Sequence, residues 1–147
     1  MWTLRPSIDG DAAWIAELRA VVLRDDLERL GGYDAVRVRR RFIDGFVPAW
    51  TRVIVADGID AGSISMRPDA DDVWLEHFYL RPDLQGRGIG GAILGAVLQE
   101  SVGRRVRLNV LTGSSARRLY ERHGFTLDAE DDVDVFMSRS VPAISPG

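Results

Sequence analysis

The chain has 147 residues, a length that favours a single domain. Its 46% hydrophobic content, 28% charged content and net charge of −3 are typical of a globular protein with no general attraction to nucleic acid. The absence of cysteine excludes disulfides, thiolate metal sites and a cysteine nucleophile. There is neither a signal-peptide pattern nor a run of ~20 apolar residues, so we expect a cytoplasmic protein that binds no membrane.

The first half of the chain predicts one strand, two helices and three antiparallel strands. Apolar residues recur at helical spacing up to the Gly31-Gly32 pair and again after it. Two later apolar runs flank a tight turn at Asp57-Gly58, which indicates a hairpin. The predicted strands span 2–5, 51–56, 61–67 and 73–80, and the predicted helices span 12–30 and 33–46.

The second half predicts two helices that alternate with strands. A helix over 88–102 precedes a strand over 106–110, which is therefore expected to lie parallel to the strand over 73–80. Ser114 or Ser115 caps a short helix that ends at Gly124, and strands over 125–127 and 133–138 follow. The order β-α-α-β-β-β-α-β-α-β-β predicts an α+β fold with a mixed, mostly antiparallel sheet of about seven strands and helices on both faces. We expect one domain over 1–140 and a frayed tail over 141–147.

A glycine-rich stretch between the strand over 73–80 and the helix after it is the most informative feature. Its sequence over 85–91 is Gln-Gly-Arg-Gly-Ile-Gly-Gly. The first N–H groups of a helix have no internal partner, and the helix dipole adds positive charge there. Glycines remove the Cβ atoms that would keep a ligand away from the backbone. Residues 86–90 are therefore predicted to hold a pyrophosphate.

Three other interpretations of the stretch are weaker. Gly86, Gly88 and Gly91 match a dinucleotide-binding fingerprint, but the acid expected ~20 residues later is missing. A Walker loop requires a lysine, and the chain has none. An ordinary helix start is disfavoured because four glycines within six residues weaken a helix N-terminus unless a ligand must approach it.

Two motifs resemble those of the GCN5-related N-acetyltransferase (GNAT) family. Gln85-x-x-Gly88-x-Gly90 resembles its acetyl-CoA signature, and the run from Ala116 to position 125 resembles its later motif A-x-x-L-Y-x-x-x-G-F. The predicted element order is similar to that fold over nearly the whole chain. One departure is Gly113, because the family often has an asparagine there that contacts the pantetheine arm.

The resemblance implies transfer of an acetyl group from acetyl-CoA to a primary amine of a small molecule or peptide. Two histidines far apart in the sequence, with no cysteine, predict no metal site. With no cysteine nucleophile, we expect direct transfer in a ternary complex. Dimers are common among relatives, so a homodimer is possible. A bulge near position 78 is implied, with backbone there binding the thioester and pantetheine. The implied cofactor-binding residues are Phe78, Tyr79, Leu80, Gln85, Gly86, Arg87, Gly88, Ile89, Gly90, Ser115 and Tyr120.

The resemblance also implies two catalytic residues, Tyr120 and Glu76. Tyr120 would protonate the leaving thiolate, and Glu76 lies where several relatives carry a catalytic base. His77 and a water relay are the rival bases. Regular strand alternation places Trp74, Glu76 and Phe78 on one face, opposite Leu75, His77 and Tyr79, so Glu76 and His77 serve one cleft only if a bulge rotates the strand.

Several features remain open at this stage. The arginines at 37, 39, 40 and 41 form either a binding patch or a solvated helix face, and nearby acids favour the latter. His123 is expected to be structural, at a helix C-terminus. A non-catalytic acyl-CoA sensor on the same fold and a nucleotide-dependent oxidoreductase are the alternative functions.

Overall fold

Residues 1–140 are described by the computed structural model, and they form eleven main elements. The strands are β1 (Trp2–Pro6), β2 (Thr51–Ala56), β3 (Ile59–Asp69), β4 (Asp72–Leu80), β5 (Arg105–Leu111), β6 (Thr126–Glu130) and β7 (Asp134–Ser140). The helices are α1 (Ala12–Arg29), α2 (Ala35–Gly45), α3 (Ile89–Gln99) and α4 (Ala116–Arg122). The predicted tail over 141–147 lies outside the described residues.

The strands form one sheet in the order β1-β2-β3-β4-β5-β7-β6. Among the described strands, only β4 and β5 pair in parallel, as predicted from the helix between them. The predicted α+β class, mixed sheet and element order are confirmed. The α3 helix is shorter than predicted, because the chain beyond Gln99 tightens into turns in which the N–H groups of Glu100 and Ser101 bond carbonyls only three residues back.

Helices cover both faces of the sheet. The α3 residues Ile93, Leu94, Val97 and Leu98 are buried against one face together with Tyr120 of α4. On the other face, Ile15 and Phe42 bring α1 and α2 onto β2 and β4. Asp34 begins α2 by accepting hydrogen bonds from the N–H groups of residues 36 and 37 at 3.0 and 2.8 Å.

A bulge in β4 separates it from β5. The two strands pair only through residues 72–74 and 105–107, so from Leu75 onward β4 has no strand partner on that side within residues 1–140. Across β3, the register passes from Ser63 opposite Tyr79 to Ser65 opposite Glu76, which leaves one extra residue in β4. His77 lies there with a left-handed φ of +50°. The bulge that the family resemblance implied is therefore present.

The predicted alternation of side chains along β4 is wrong beyond Glu76, because the extra residue reverses it. Phe78 packs with Leu80 in the core on the α3 side, whereas Tyr79 is buried on the α1–α2 side. His77 also faces that side, where its ring stands edge-on to Phe42 at a centroid distance of 4.9 Å. Glu76, His77 and Tyr79 thus share one face.

The bulge also requires a glycine in β3. A Cβ added to Gly62 would lie 2.1 Å from the carbonyl oxygen of Tyr79. That oxygen belongs to the backbone, so it can move only if the bulge moves. Gly62 therefore permits the close approach of β3 to the kinked part of β4.

We predict that Gly62→Ala lowers the free energy of unfolding by about 1–3 kcal/mol, because the added methyl group overpacks the bulge. Urea unfolding of wild type and variant measures this loss. Gly45→Ala is the control, since a Cβ there meets nothing within 4 Å. Equal stability of Gly62→Ala and wild type would contradict the assignment.

Candidate active site

Two adjoining cavities open where β4 and β5 separate. The glycine-side cavity, of about 280 Å³, is lined by Gly86, Gly88 and Gly90 and by α4. The helix-side cavity, of about 540 Å³, extends under α1 and includes Glu76 and His77. The residues that line both are Phe78, Gln85, Ser115, Ala116 and Tyr120. All the sequence-predicted site residues except Arg87 and Ile89 therefore line this cleft.

The glycine turn presents unpaired backbone donors to the smaller cavity. Gly86 and Gly88 have φ values of +77° and +80°, which favour glycine. The Gln85 amide donates to the carbonyl of Leu80 at 2.9 Å and so ties the turn to the end of β4. Within the described chain, the N–H groups of residues 86–91 form no hydrogen bond, and no acid lies in the first turn of α3. This arrangement fits an anionic group.

Two residues predicted to bind the cofactor, Arg87 and Ile89, have side chains that do not line the cavities. Ile89 is half-buried against the core, which leaves only its backbone available to a ligand. The side chain of Arg87 is exposed and lines neither cavity. A contact from Arg87 to a bound anion remains a prediction.

Small residues on α3 allow α4 to approach. A Cβ on Gly91 would lie 3.7 Å from both Leu119 and His123. The ring of His123 is fixed by a 2.9 Å hydrogen bond between Nδ1 and the Leu119 carbonyl. Ser114, rather than Ser115, supplies the side-chain cap of α4, accepting from the Ala116 N–H at 3.2 Å. The hydroxyl of Ser115 is left exposed beside both cavities.

Tyr120 stands where the two cavities meet. Its ring is buried and lies 5.7 Å from that of Phe125. Its hydroxyl forms no hydrogen bond with any residue of the described range, although every fully enclosed side-chain polar atom there has a partner. The hydroxyl is therefore accessible from the cleft. Burial raises the pKa of Tyr120 well above its ordinary value, so the phenol keeps its proton near neutral pH.

Glu76 is held by an arginine that the sequence analysis does not single out. Arg67 donates from Nε and Nη2 to the two carboxylate oxygens at 2.8 and 3.4 Å. Arg67 lies opposite Trp74 on the neighbouring strand, so Glu76 is its diagonal neighbour. The register of the β3–β4 hairpin could have identified this partner. The pair orients the carboxylate in the wall of the helix-side cavity.

A hydrogen-bonded chain connects His77 to α1. The Tyr79 hydroxyl lies 3.0 Å from His77 Nδ1 and accepts from Nε of Arg19 at 2.9 Å. Burial lowers the pKa of His77 to about 4, with the positive charge of Arg19 as a smaller cause. The imidazole is thus neutral near pH 7, and its Nδ1 accepts from the Tyr79 hydroxyl. No sequence signal singles out Arg19, because its contact with Tyr79 spans 60 positions.

At Gly113, where the sequence departs from the family motif, the side chain of Arg29 from α1 occupies the neighbouring space. Gly113 has a φ of +81°, and a Cβ there would lie 2.7 Å from the Arg29 guanidinium. Arg29 donates to the carbonyl of Thr112 at 2.7 Å and to Asp26 at 2.8 Å. A cationic side chain thus occupies the space beside the loop after β5.

Neither a metal centre nor a membrane-spanning segment emerges from the described part of the chain. Residues 1–140 contain no cluster of three or more metal-ligating side chains. None of the helices in that range is long and apolar enough to cross a membrane.

The family model that describes the acetyltransferase (GNAT) domain matches residues 49–127, more than half of the chain. The protein belongs to the GNAT family. The match includes both motifs and the cleft between β4 and β5. A comparison with curated proteins finds no significant match.

Solved GNAT structures share the fold at low sequence identity. PaiA N-acetyltransferase from Thermoplasma acidophilum, in complex with coenzyme A, is 17% identical with a TM-score of 0.75, covering 95% of this chain and 99% of that one. Ribosomal-protein-S18-alanine N-acetyltransferase from Escherichia coli is 18% identical, with a TM-score of 0.73 and coverages of 99% and 97%. A putative phosphinothricin N-acetyltransferase is 18% identical, with a TM-score of 0.70 and coverages of 97% and 100%. Membership of the family makes this GNAT protein an acyl-CoA-dependent acetyltransferase.

We predict that the half-buried His77 makes the free energy of unfolding fall as the pH falls from 6.5 towards 4. Its folded-state pKa lies below the unfolded value, so the unfolded chain binds the proton first. A shift from 6.5 to about 4 corresponds to about 3 kcal/mol, of which about 2 kcal/mol is lost by pH 5.

Urea unfolding at pH 7 and pH 5 measures this dependence. His77→Gln should reduce the difference between the two pH values, whereas the matched His123→Gln should retain it. An unchanged difference in His77→Gln would show that His77 is not held neutral by burial.

Proposed function

We propose that this protein transfers the acetyl group of acetyl-CoA directly to a primary amine of a small molecule or peptide. The observation that carries the proposal is the row of unpaired N–H groups over residues 86–91, at one end of a cleft that reaches the Tyr120 hydroxyl. The fold neighbours named above include a ribosomal-protein-S18-alanine N-acetyltransferase and a putative phosphinothricin N-acetyltransferase. Both acceptor classes are therefore compatible with this architecture.

The cleft fits coenzyme A through backbone groups. The N–H groups of residues 86–91, at the positive end of the α3 dipole, would hold the diphosphate. The edge of β4 from Leu75 to Leu80 is unpaired on the β5 side, so it can pair with the amides of the pantetheine arm as an added strand would. Bound acetyl-CoA supplies an activated acetyl thioester. A β4 N–H at the bulge would donate to the thioester oxygen.

Tyr120 would act as the acid for the leaving thiolate of coenzyme A. Its hydroxyl has no competing partner among residues 1–140, and its raised pKa keeps it protonated. A thiol has a pKa of about 8.5, below that of a phenol, so Tyr120 is a weak acid towards a thiolate. It therefore acts at close range, donating a hydrogen bond as the carbon–sulfur bond breaks.

Glu76 or His77 would receive the proton that the amine loses. The bulge places both in the helix-side cavity, so the expectation that they serve different faces no longer separates them. Glu76 is engaged on both oxygens by Arg67, and His77 is neutral with Nδ1 bonded to Tyr79. We retain Glu76 as the base, acting through a water molecule, with His77 as the alternative. The bonds balance, because the amine gains the acetyl group and loses one proton, and the sulfur gains one.

Direct transfer requires both substrates on the enzyme together. The two cavities adjoin at Tyr120, which allows an amine to approach from the helix side while the cofactor lies on the glycine side. Initial-velocity plots should intersect. Parallel lines with a trapped acetyl-enzyme would instead indicate a covalent route.

We predict that Gly90→Asp abolishes coenzyme A binding without unfolding the protein. A carboxylate in the first turn of α3 stabilises the free helix, yet it repels a diphosphate at the same N–H groups. A Cβ at Gly90 meets only ordinary contacts at 3.9 and 4.0 Å. Calorimetry with coenzyme A and a thermal melt measure the two effects separately.

Gly90→Asn is the matched control, because it has nearly the same shape without the charge. Affinity should fall at least tenfold further in the aspartate variant than in the asparagine variant. Equal affinities would place the diphosphate elsewhere.

We predict that Tyr120→Phe lowers kcat about 10- to 100-fold and leaves the KM for acetyl-CoA near its wild-type value, since it removes only a proton donor. The melting temperature should not fall, because the lost hydroxyl bonds no residue in the described part of the chain. Free-thiol release measures turnover. Tyr33→Phe, on the half-exposed loop between α1 and α2, is the control and should behave as wild type. Unchanged kcat in Tyr120→Phe would remove the tyrosine from the mechanism.

A further inference from the structure

The acidic side chains that line the helix-side cavity have partners within the protein, whereas two of its arginines have no carboxylate partner among the described residues. Its three acids each have a partner within the protein. Glu76 pairs with Arg67, and Asp26 pairs with Arg29 at 2.8 Å. Asp134 accepts a hydrogen bond from the Asn109 amide at 3.0 Å. The acidic side chains of this cavity are thus already engaged.

Two arginines of the same wall, Arg19 of α1 and Arg41 of α2, have no carboxylate within ion-pair distance among the described residues. The head group of Arg19 is oriented by neutral acceptors only, since Nε donates to the Tyr79 hydroxyl and Nη1 to the Val38 carbonyl. Its Nη2 forms no hydrogen bond within residues 1–140. Arg41 forms none from any of its guanidinium nitrogens in that range, and its side chain is exposed at the cavity.

An oriented guanidinium with free donors favours an anion. Charge-assisted hydrogen bonds from arginine to a carboxylate are short and about twice as strong as neutral ones, and the planar group suits two parallel contacts. Arg19 is already fixed by its two neutral partners, so little side-chain entropy would be lost on binding. The half-buried position of Arg19 also weakens competition from water.

We infer that the acceptor is a small amine that also carries an anionic group, which Arg19 and Arg41 bind. This inference rests on the proposed function and specifies the acceptor class at the same site. The Tyr79 hydroxyl bonds both Arg19 and His77, so an anion on Arg19 places the rest of the acceptor beside His77 and Glu76. The amine then points towards Tyr120, where the two cavities meet. A volume of about 540 Å³ suits a small molecule.

The test compares amines that differ only in the anionic group. Free-thiol release with acetyl-CoA is measured for phenylalanine and phenethylamine, for methionine and 3-(methylthio)propylamine, and for the aminophosphonic acids with the same side chains. We expect kcat/KM to be at least tenfold higher for the anionic member of each pair. The phosphonates distinguish a carboxylate-specific site from a general anion site, and either preference supports the inference.

Arg41→Gln and Arg19→Lys should each reduce kcat/KM for the anionic amines at least tenfold, mainly through KM. In both variants, kcat/KM for the anionic amines should also fall at least tenfold relative to kcat/KM for the neutral amines, so any change common to both kinds of amine, such as one from loss of the Arg19 contact with Tyr79, cancels in the ratio. Arg40→Gln is the matched control, because Arg40 is exposed on α2 and lines neither cavity. Arg19→Lys keeps the charge but loses the planar group, and a melt shows whether the variant is folded.

Binding of coenzyme A, measured by calorimetry on each variant, separates the two levels of the proposal. If the wild-type protein does not bind coenzyme A, both the proposed function and this inference are wrong. If coenzyme A binds, two outcomes overturn the inference alone. One is that neutral amines, or peptides with an amidated C-terminus, react with a kcat/KM as high as that of the anionic amines. The other is that no anionic amine is turned over. A loss of coenzyme A affinity in Arg41→Gln would assign that arginine to the cofactor and overturn the inference as well.

Discussion

The extra residue in β4 is the constraint on which the cleft depends. With regular alternation, β4 would remain paired with β5 along its length, and no edge would be open to a ligand. A left-handed conformation at a non-glycine residue costs roughly 1–2 kcal/mol. Contacts of His77 offset this cost, because its ring packs on Phe42 and its carbonyl accepts a 2.7 Å hydrogen bond from the hydroxyl of Ser63. Gly62 completes the arrangement by admitting the Tyr79 carbonyl.

The bulge also sets the polarity of the cleft. The end at α3 offers unpaired N–H groups and no acid, so it favours negative charge. The middle is formed by Phe78 and the buried Tyr120, whose burial keeps the phenol protonated. The far end holds Glu76 and a neutral His77. A diphosphate, an acyl thioester and an amine require these environments in this order, which is why one kinked strand can serve an acetyl transfer.

Local patterns predicted the elements and the glycine turn, because both depend on spacing along the chain. The predicted helix over 88–102 extends past the observed end at Gln99, an error of the size expected at element boundaries, whereas Ser114, one of the two predicted caps, does cap α4. The prediction of which β4 side chains lie on which face of the sheet was wrong beyond Glu76, because side chains alternate regularly only while the strand register is unbroken. Arg67 and Arg19 could not be found from local spacing, since their partners Glu76 and Tyr79 lie on other elements.

The span of the family match explains why the acceptor is harder to predict from the sequence than the cofactor site. Residues 49–127 include the glycine turn, the bulge and Tyr120, which are the parts proposed to recognise the cofactor. Arg19 and Arg41 lie on α1 and α2, outside that span, where a fold can change its acceptor without disturbing the shared chemistry. The two regions still meet, because the Tyr79 hydroxyl connects Arg19 to His77. In the proposed function, acceptor selectivity is thus linked through one hydroxyl to the strand that would bind the thioester.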